Sequence, residues 1–295
     1  MLAIIIPYYK KAFFEANLQS LSRQTDKRFK VYIGDDASPE NPSEIIAKYS
    51  NDIDISYKKF EKNLGGTSLV KQWERCLSMM ADEKWFMILG DDDALQDNCV
   101  EAFYRNMDEG DQINVYRFAT VKIDAHGNKI SEIYQHPTVE NATDFLFRKT
   151  RSSLGEYIFN RKALAQIGFK NLPLAWYSDI LAVLEFSSFG RIFTINEALA
   201  YIRISGLSIS GSTQYAKLKA QATFEFYYHL LNVHRQQFII SRQKELFAAL
   251  NKTYLYDKKN LTLLSKISMF YLRNFLLTDY LHFIQSVFLN LIRKK

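Results

Sequence analysis

Apolar and polar positions change period repeatedly over the first 110 residues. Residues 2–6 are a short apolar run ended by Pro7, after which Phe14, Leu18 and Leu21 recur at helical spacing. Residues 29–33 read as a second strand. Asn41 before Pro42 is an N-cap and first-turn pair for a helix carrying Ile45, Ile46 and Tyr49. Residues 53–60 read as extended, Gly65-Gly66-Thr67 opens a helix with Leu69, Trp73, Leu77 and Met80 on one side, and residues 85–89 form another apolar strand. The order is β-α-β-α-β-α-β, which predicts an α/β fold: a mostly parallel sheet flanked by helices, binding ligands at the carboxyl ends of its strands.

Polar and small residues gather at those ends. They are Pro7-Tyr8-Tyr9, Gly34-Asp35-Asp36-Ala37-Ser38, Asn63-Leu64-Gly65-Gly66, and Gly90-Asp91-Asp92-Asp93. Adjacent carboxylates repel, and a hard divalent cation shared with substrate phosphates offsets that repulsion. The acidic run therefore points to a metal and a phosphate together, and competes with a plainer role as a polar loop before a helix capped by Asp97. Acidic turns are common, so the pair Asp35-Asp36 also reads as a capped turn.

Beyond residue 110 the pattern continues in mixed form. Residues 191–195 and 198–204 read as short strands, and Ser178 and Asp179 open an apolar helical run that either residue could cap. From residue 212 onward the chain is helical and rich in Tyr, Phe, Leu and Lys. Its last segment, 268–292, has a wide apolar face but no uninterrupted stretch long enough to span a bilayer.

Composition narrows the class. The 295 residues are 47% apolar, enough for one large core or two smaller ones. Cys76 and Cys99 stand far apart and five histidines show no metal-ligand spacing, so neither a disulfide framework nor a thiolate or imidazole metal site is expected. The opening reads as a first strand instead of a leader, giving a cytoplasmic expectation. Net charge is +6, yet residues 211–295 hold thirteen Lys plus Arg against four Asp plus Glu, so that part carries +9 and the rest −3. A basic helical part suits an anionic membrane surface or a polyanion, or is simply a solvated face; no nucleic-acid partner is expected.

The combination resembles family 2 glycosyltransferases with the GT-A fold. The resemblance covers about residues 2–205 and rests on Pro-x-Tyr at Pro7-Tyr8-Tyr9, Asp-Asp-x-Ser at Asp35 to Ser38, Asn-x-Gly at Asn63-Leu64-Gly65, a helix with Trp73-Glu74-Arg75-Cys76-Leu77, and the acidic motif at Asp91 to Asp93. Gly90 departs from it, standing where many members carry the first aspartate of Asp-x-Asp-Asp. The resemblance implies a catalytic domain over residues 1–211, with a nucleotide-sugar half (1–110) and an acceptor half (111–211), followed by a helical extension (212–295). It implies an inverting transfer from a nucleotide-sugar donor, UDP-linked by expectation, to a carbohydrate or lipid-linked acceptor in surface polysaccharide assembly.

Site roles follow from the same resemblance. Asp93, with Asp91 or Asp92 assisting, would bridge Mn²⁺ or Mg²⁺ to the diphosphate. Asp36 would accept a hydrogen bond from the base, with Pro7 and Tyr8 lining the pocket, Asp35 holding the loop, and Asn63 and Gly65 completing the donor rim. Asp179 is the expected general base. Arg203 is a candidate phosphate contact, and Ser208 to Ser212 a candidate closing loop. Glu156 is a further candidate for holding a sugar hydroxyl, set against plain surface polarity. A non-catalytic nucleotide-sugar or polyanion binder with the same fold is the alternative, and a nucleotidyltransferase a third.

Overall fold

The structure is a computed structural model that describes residues 1–108, 113–148, 153–205, 214–257 and 260–292. The chain divides into two compact units, Met1–Tyr215 and Ala216–Lys295. The first unit begins β1 (Leu2–Tyr8), α1 (Phe14–Ser22), β2 (Phe29–Asp35), α2 (Ser43–Tyr49), β3 (Ile55–Lys59), α3 (Leu69–Leu77), β4 (Trp85–Ile88), β5 (Ala94–Leu95) and α4 (Cys99–Asn106). It continues with β6 (Val115–Ile123), β7 (Val139–Asn141), α5 (Ala142–Phe147), a 3-10 turn at Leu154–Glu156, β8 (Tyr157–Asn160), α6 (Arg161–Ile167), α7 (Ser178–Phe186) and β9 (Arg191–Arg203).

Among the described residues nine strands form one mixed sheet in the order β3-β2-β1-β4-β8-β6-β9-β5, with β7 on β9. The pairs β1–β2, β2–β3 and β1–β4 are parallel, as crossover helices require, whereas β8 runs antiparallel between β4 and β6. β1 continues through Pro7 because nothing on that side needs the missing N–H: the last ladder bond toward β4 is from Leu89 N to Ile5 O (2.9 Å). Alternate residues on one face of β1, β2 and β4, such as Ile4, Val31 and Met87, are buried among α1, α2 and α4 in one core.

Three local expectations are corrected. The two short strands expected over 191–204 are one strand, β9, in which Phe118 pairs Ile195 and Ala119 pairs Leu199. The extra residues 196–198 are absorbed as a bulge whose Asn196 side chain brackets the His136 backbone, at 2.8 Å to its carbonyl and 3.1 Å to its amide. Asn41 supports the α2 entry from one residue outside, its Oδ1 accepting from Ser43 N at 3.0 Å. Asp97 does not cap α4, which starts after Asn98 without a side-chain cap bond; Asp97 pairs with Arg23 at 3.3 Å instead.

The second unit is helical: α8 (Ala216–Val233), α9 (Ile240–Tyr256), α10 (Leu261–Arg273) and α11 (Leu277–Ile292). The expected apolar segment 268–292 is not one helix. Phe275, at φ 55°, breaks it after Asn274. Phe247, Tyr254, Phe270, Tyr271 and Phe283 pack as an aromatic core, with ring centroids 5.5–6.1 Å apart. No helix among the described residues is long and apolar enough to cross a membrane.

Candidate active site

The acidic run forms a tight turn between β4 and β5, closed by Asp93 N donating to Gly90 O at 3.2 Å. Asn17 of α1 holds both ends, its Nδ2 donating to Gly90 O at 2.8 Å and Asp93 O at 2.9 Å. β5 then pairs with β9, Ala94 opposite Tyr201, which brings Arg203 against the turn. Asp91 Oδ2 accepts the backbone N–H groups of Tyr9 and Lys10, both at 2.8 Å, and so ties the β1 loop to the acidic loop. Asp93 is buried, and its Oδ1 accepts from Arg203 N at 2.9 Å.

Asp92 is different. Its carboxylate receives no hydrogen bond from another residue among those described, and burial raises its pKa against the pull of Lys10 and Arg203. A β-carbon at position 90 would stand 2.9 Å from Asp92 Oδ1 and 3.2 Å from Asp93 Oδ2. Both carboxylates therefore point into one small space, and Gly90 keeps it open where a larger residue would fill it. Two oxygen donors from two carboxylates, one of them with no hydrogen-bond donor from another of the described residues, fit a hard divalent cation.

Arg203 is spent on this turn. Its Nε donates to Asp92 O at 2.8 Å and an Nη to Asp124 O at 2.7 Å, and its guanidinium lies 4.5 Å from the centre of the Phe13 ring. The expected phosphate contact is thus a buried staple. The expected closing loop at Ser208 to Ser212 lies outside the described residues.

The β2 and β3 loops are locked by their own carboxylates. Asp35 Oδ1 accepts from Ser38 N and Oδ2 from the Tyr57 hydroxyl, each at 2.7 Å. Asp36 accepts from Leu64 N at 2.6 Å and Gly65 N at 2.8 Å and pairs with Arg75 of α3. A β-carbon on Gly65 would approach Asp36 Oδ2 to 2.6 Å, so only glycine fits there. Asn63 closes its own turn onto Gly66 N at 2.6 Å. Tyr8, expected in the pocket wall, is buried: its ring packs on Phe14 at 4.6 Å, its hydroxyl donates to Glu40 O, and burial pushes its pKa up to about 12. Its neighbour Tyr9 is 40% exposed at the same rim.

Asp179 is the second residue of α7, after an entry in which Leu174, Ala175 and Tyr177 all hold φ between 53° and 69°. Bulky residues in left-handed backbone mark stored strain, which collects at functional sites. Ser178 does not cap the helix; its hydroxyl donates to Lys170 O at 2.7 Å. Burial raises the Asp179 carboxyl to about 6, although the helix's first amides pull the other way. Glu156 lies within electrostatic reach of Asp179 and is only 1% exposed, so plain surface polarity does not describe it. Its Oε2 accepts from Ser153 N at 3.0 Å and Tyr157 lies within side-chain hydrogen-bonding reach of the carboxyl, whereas Oε1 is buried with no well-formed hydrogen bond from the described residues. Burial lifts its pKa to about 8, with Arg117 opposing and Asp179 adding to the rise. The turn carrying Glu156 also touches the acidic loop: a β-carbon on Gly155 would sit 3.1 Å from Asp93 Oδ2.

A sequence model of glycosyl transferase family 2 matches residues 3–175, more than half of the chain and every rim loop described above. The chain belongs to glycosyl transferase family 2. This family 2 enzyme is 25% identical over 206 residues to an uncharacterized glycosyltransferase of Haemophilus influenzae, covering 68% of this chain and 67% of that protein. S. aureus TarS 1–349 in complex with UDP-GlcNAc shares its fold at TM-score 0.62 and 16% identity, covering 100% of this chain and 92% of that one. The chain spans only 43% of the longer TarS structure. The mannosyltransferase PcManGT from Pyrobaculum calidifontis, in complex with GDP-Man and Mn²⁺, aligns at TM-score 0.58 and 14% identity, covering 100% of this chain and 88% of that one. These likenesses establish the GT-A fold of the glycosyltransferase.

The family 2 frame also shows what the sequence pattern passed over. Tyr9, not Tyr8, is the tyrosine of Pro-x-Tyr, and the motif spacing alone points to it. Asn17 carried a signal as well, being a polar residue in register with Phe14, Leu18 and Leu21 on the buried face of α1. Arg75 of α3 carried none, because its partner Asp36 is 39 residues away.

Proposed function

We propose that this glycosyltransferase transfers a sugar, with inversion, from a nucleoside diphosphate donor to a carbohydrate or lipid-linked acceptor. The observation that carries the proposal is the separation of two carboxylates that accept no side-chain hydrogen bond from the described residues: Asp92, beside Asp93 in the β4–β5 turn, and Asp179 at the start of α7. Asp179 accepts the proton of the acceptor hydroxyl as its oxygen attacks the anomeric carbon, and the diphosphate leaves from the opposite face, which inverts the configuration. A pKa near 6 leaves this base mostly ionised at neutral pH yet basic enough to draw the proton in the transition state. Glu156, protonated at neutral pH and 1% exposed, is a wall residue near Asp179 and does not meet a sugar hydroxyl itself.

On the donor side, Tyr9 supplies an exposed ring for the base, and the loops held by Asp35 and Asp36 form the wall around it. Asp92 leads and Asp93 assists in holding Mn²⁺ or Mg²⁺; the bound ion supplies Lewis-acid stabilisation of the departing diphosphate. UDP is the favoured nucleotide on the likeness to the UDP-GlcNAc complex of TarS, and Mn²⁺ on that to the PcManGT complex. A role in surface polysaccharide assembly on the cytoplasmic face of a membrane fits a lipid-linked acceptor. The test is turnover of UDP-sugars with the anomeric configuration of the product read by NMR. Inverted product that disappears in Asp179→Asn supports the reading, and retained configuration or full activity in Asp179→Asn sinks it.

A further inference from the structure

The second unit carries an apolar surface that the transfer reaction does not use. At the corner between α10 and α11, Phe275 is 88% exposed and holds φ 55°, a conformation costly for a bulky side chain. On α11, Leu277, Leu281 and Phe288 are exposed as well. At helical spacing they fall within about 40° of arc, on the same side and separate from the buried Phe283. The corner thus continues into a stripe that no described residue covers.

Charge decides what could cover it. Arg273 is exposed at the end of α10, next to the corner, Lys266 is exposed two turns earlier with its Nζ 6.0 Å from the centre of the Phe224 ring, and residues 211–295 carry thirteen basic against four acidic residues. Two copies brought together on this face would set like charge against like. An anionic lipid surface would instead attract the flanking cations while accepting the apolar side chains, as interfacial amphipathic helices do. Phe275, presented at a turn, reaches furthest from its neighbours and makes the natural wedge.

We propose that the α10–α11 corner is an interfacial anchor that docks on a bilayer of anionic phospholipid, with Phe275, Leu277, Leu281 and Phe288 in the headgroup region and Lys266 and Arg273 among the headgroups. The proposal deepens the lipid-linked acceptor reading, on which its biological purpose rests. Its test needs neither donor nor turnover, so the two readings fail separately.

The full chain is sedimented with vesicles of phosphatidylcholine alone and with vesicles containing about one-third phosphatidylglycerol. Binding is expected to the anionic vesicles and to weaken with added salt. Phe275→Ser, an exposed change that leaves the aromatic core intact, should lower the affinity about tenfold, the scale of one large apolar side chain withdrawn from lipid. The double change Lys266→Glu, Arg273→Glu should remove the preference for anionic vesicles. Absence of binding to either vesicle overturns the proposal. A homodimer in solution that Phe275→Ser dissociates overturns it too, and gives the stripe to a second copy.

Discussion

The carboxylates in the loops that follow β1 to β4 and those on α7 and the 3-10 turn differ in how their hydrogen-bonding capacity is used. Asp35, Asp36 and Asp91 are filled by backbone amides, a tyrosine hydroxyl and an arginine, and they set the shape of the loops that follow β1, β2 and β3. Glu156 is almost fully buried and Asp179 half-buried, both have few partners among the described residues, and burial raises both pKa values. A protein keeps a buried carboxylate poorly satisfied only at a cost, so such groups mark chemistry better than acidity alone does. Asp92 belongs with the second kind although it sits among the first.

The comparison is broken most severely at the base. Asp179→Asn should lower kcat by about 10³-fold, within the range of lost general-base catalysis, while UDP affinity stays unchanged in calorimetry. Asp36→Ala should act the opposite way. It strands Arg75 and two loop amides, and chemical denaturation should show a loss of about 3 kcal/mol, with donor affinity falling because the loop loosens. At the donor rim, Tyr9→Ala should weaken UDP binding about tenfold with little effect on thermal stability, the scale of one base–aromatic stack.

The smallest effect is a slope. The Glu156 pKa lies near 8 in the folded chain against an ordinary value of 4.5, so the folded state binds the extra proton between those limits. Stability from this group is fully present below about pH 4.5 and declines as pH rises toward 8. The melting temperature of Glu156→Gln should therefore gain on that of the wild type between pH 5 and 8. Parallel curves would remove the buried-proton account.

Much of the fold was legible because its signals are local. Strand runs such as residues 29–33, helical spacing in Leu69, Trp73 and Leu77, and the loops that end each strand lie close in sequence. What was not legible depended on distance. The bulge in β9 is set by pairing with β6, and the burial of Glu156 by packing of a turn against the acidic loop. Arg203 lies 110 residues from Asp93, and its use on backbone carbonyls could not be read from either segment alone. The break at Phe275 was hidden because no Gly or Pro marks it, and Asn274 beside it was a weak signal.

The central claim of the proposed function is that the two carboxylates without side-chain hydrogen bonds from the described residues divide the work, Asp92 on the donor and Asp179 on the acceptor. Calorimetric titration of UDP into the wild type, Asp92→Asn and Asp179→Asn, in Mn²⁺ and in EDTA, tests it most directly. The account predicts binding that requires Mn²⁺ and Asp92 and is untouched by Asp179→Asn; binding that survives both EDTA and Asp92→Asn, or that is lost in Asp179→Asn, would contradict it.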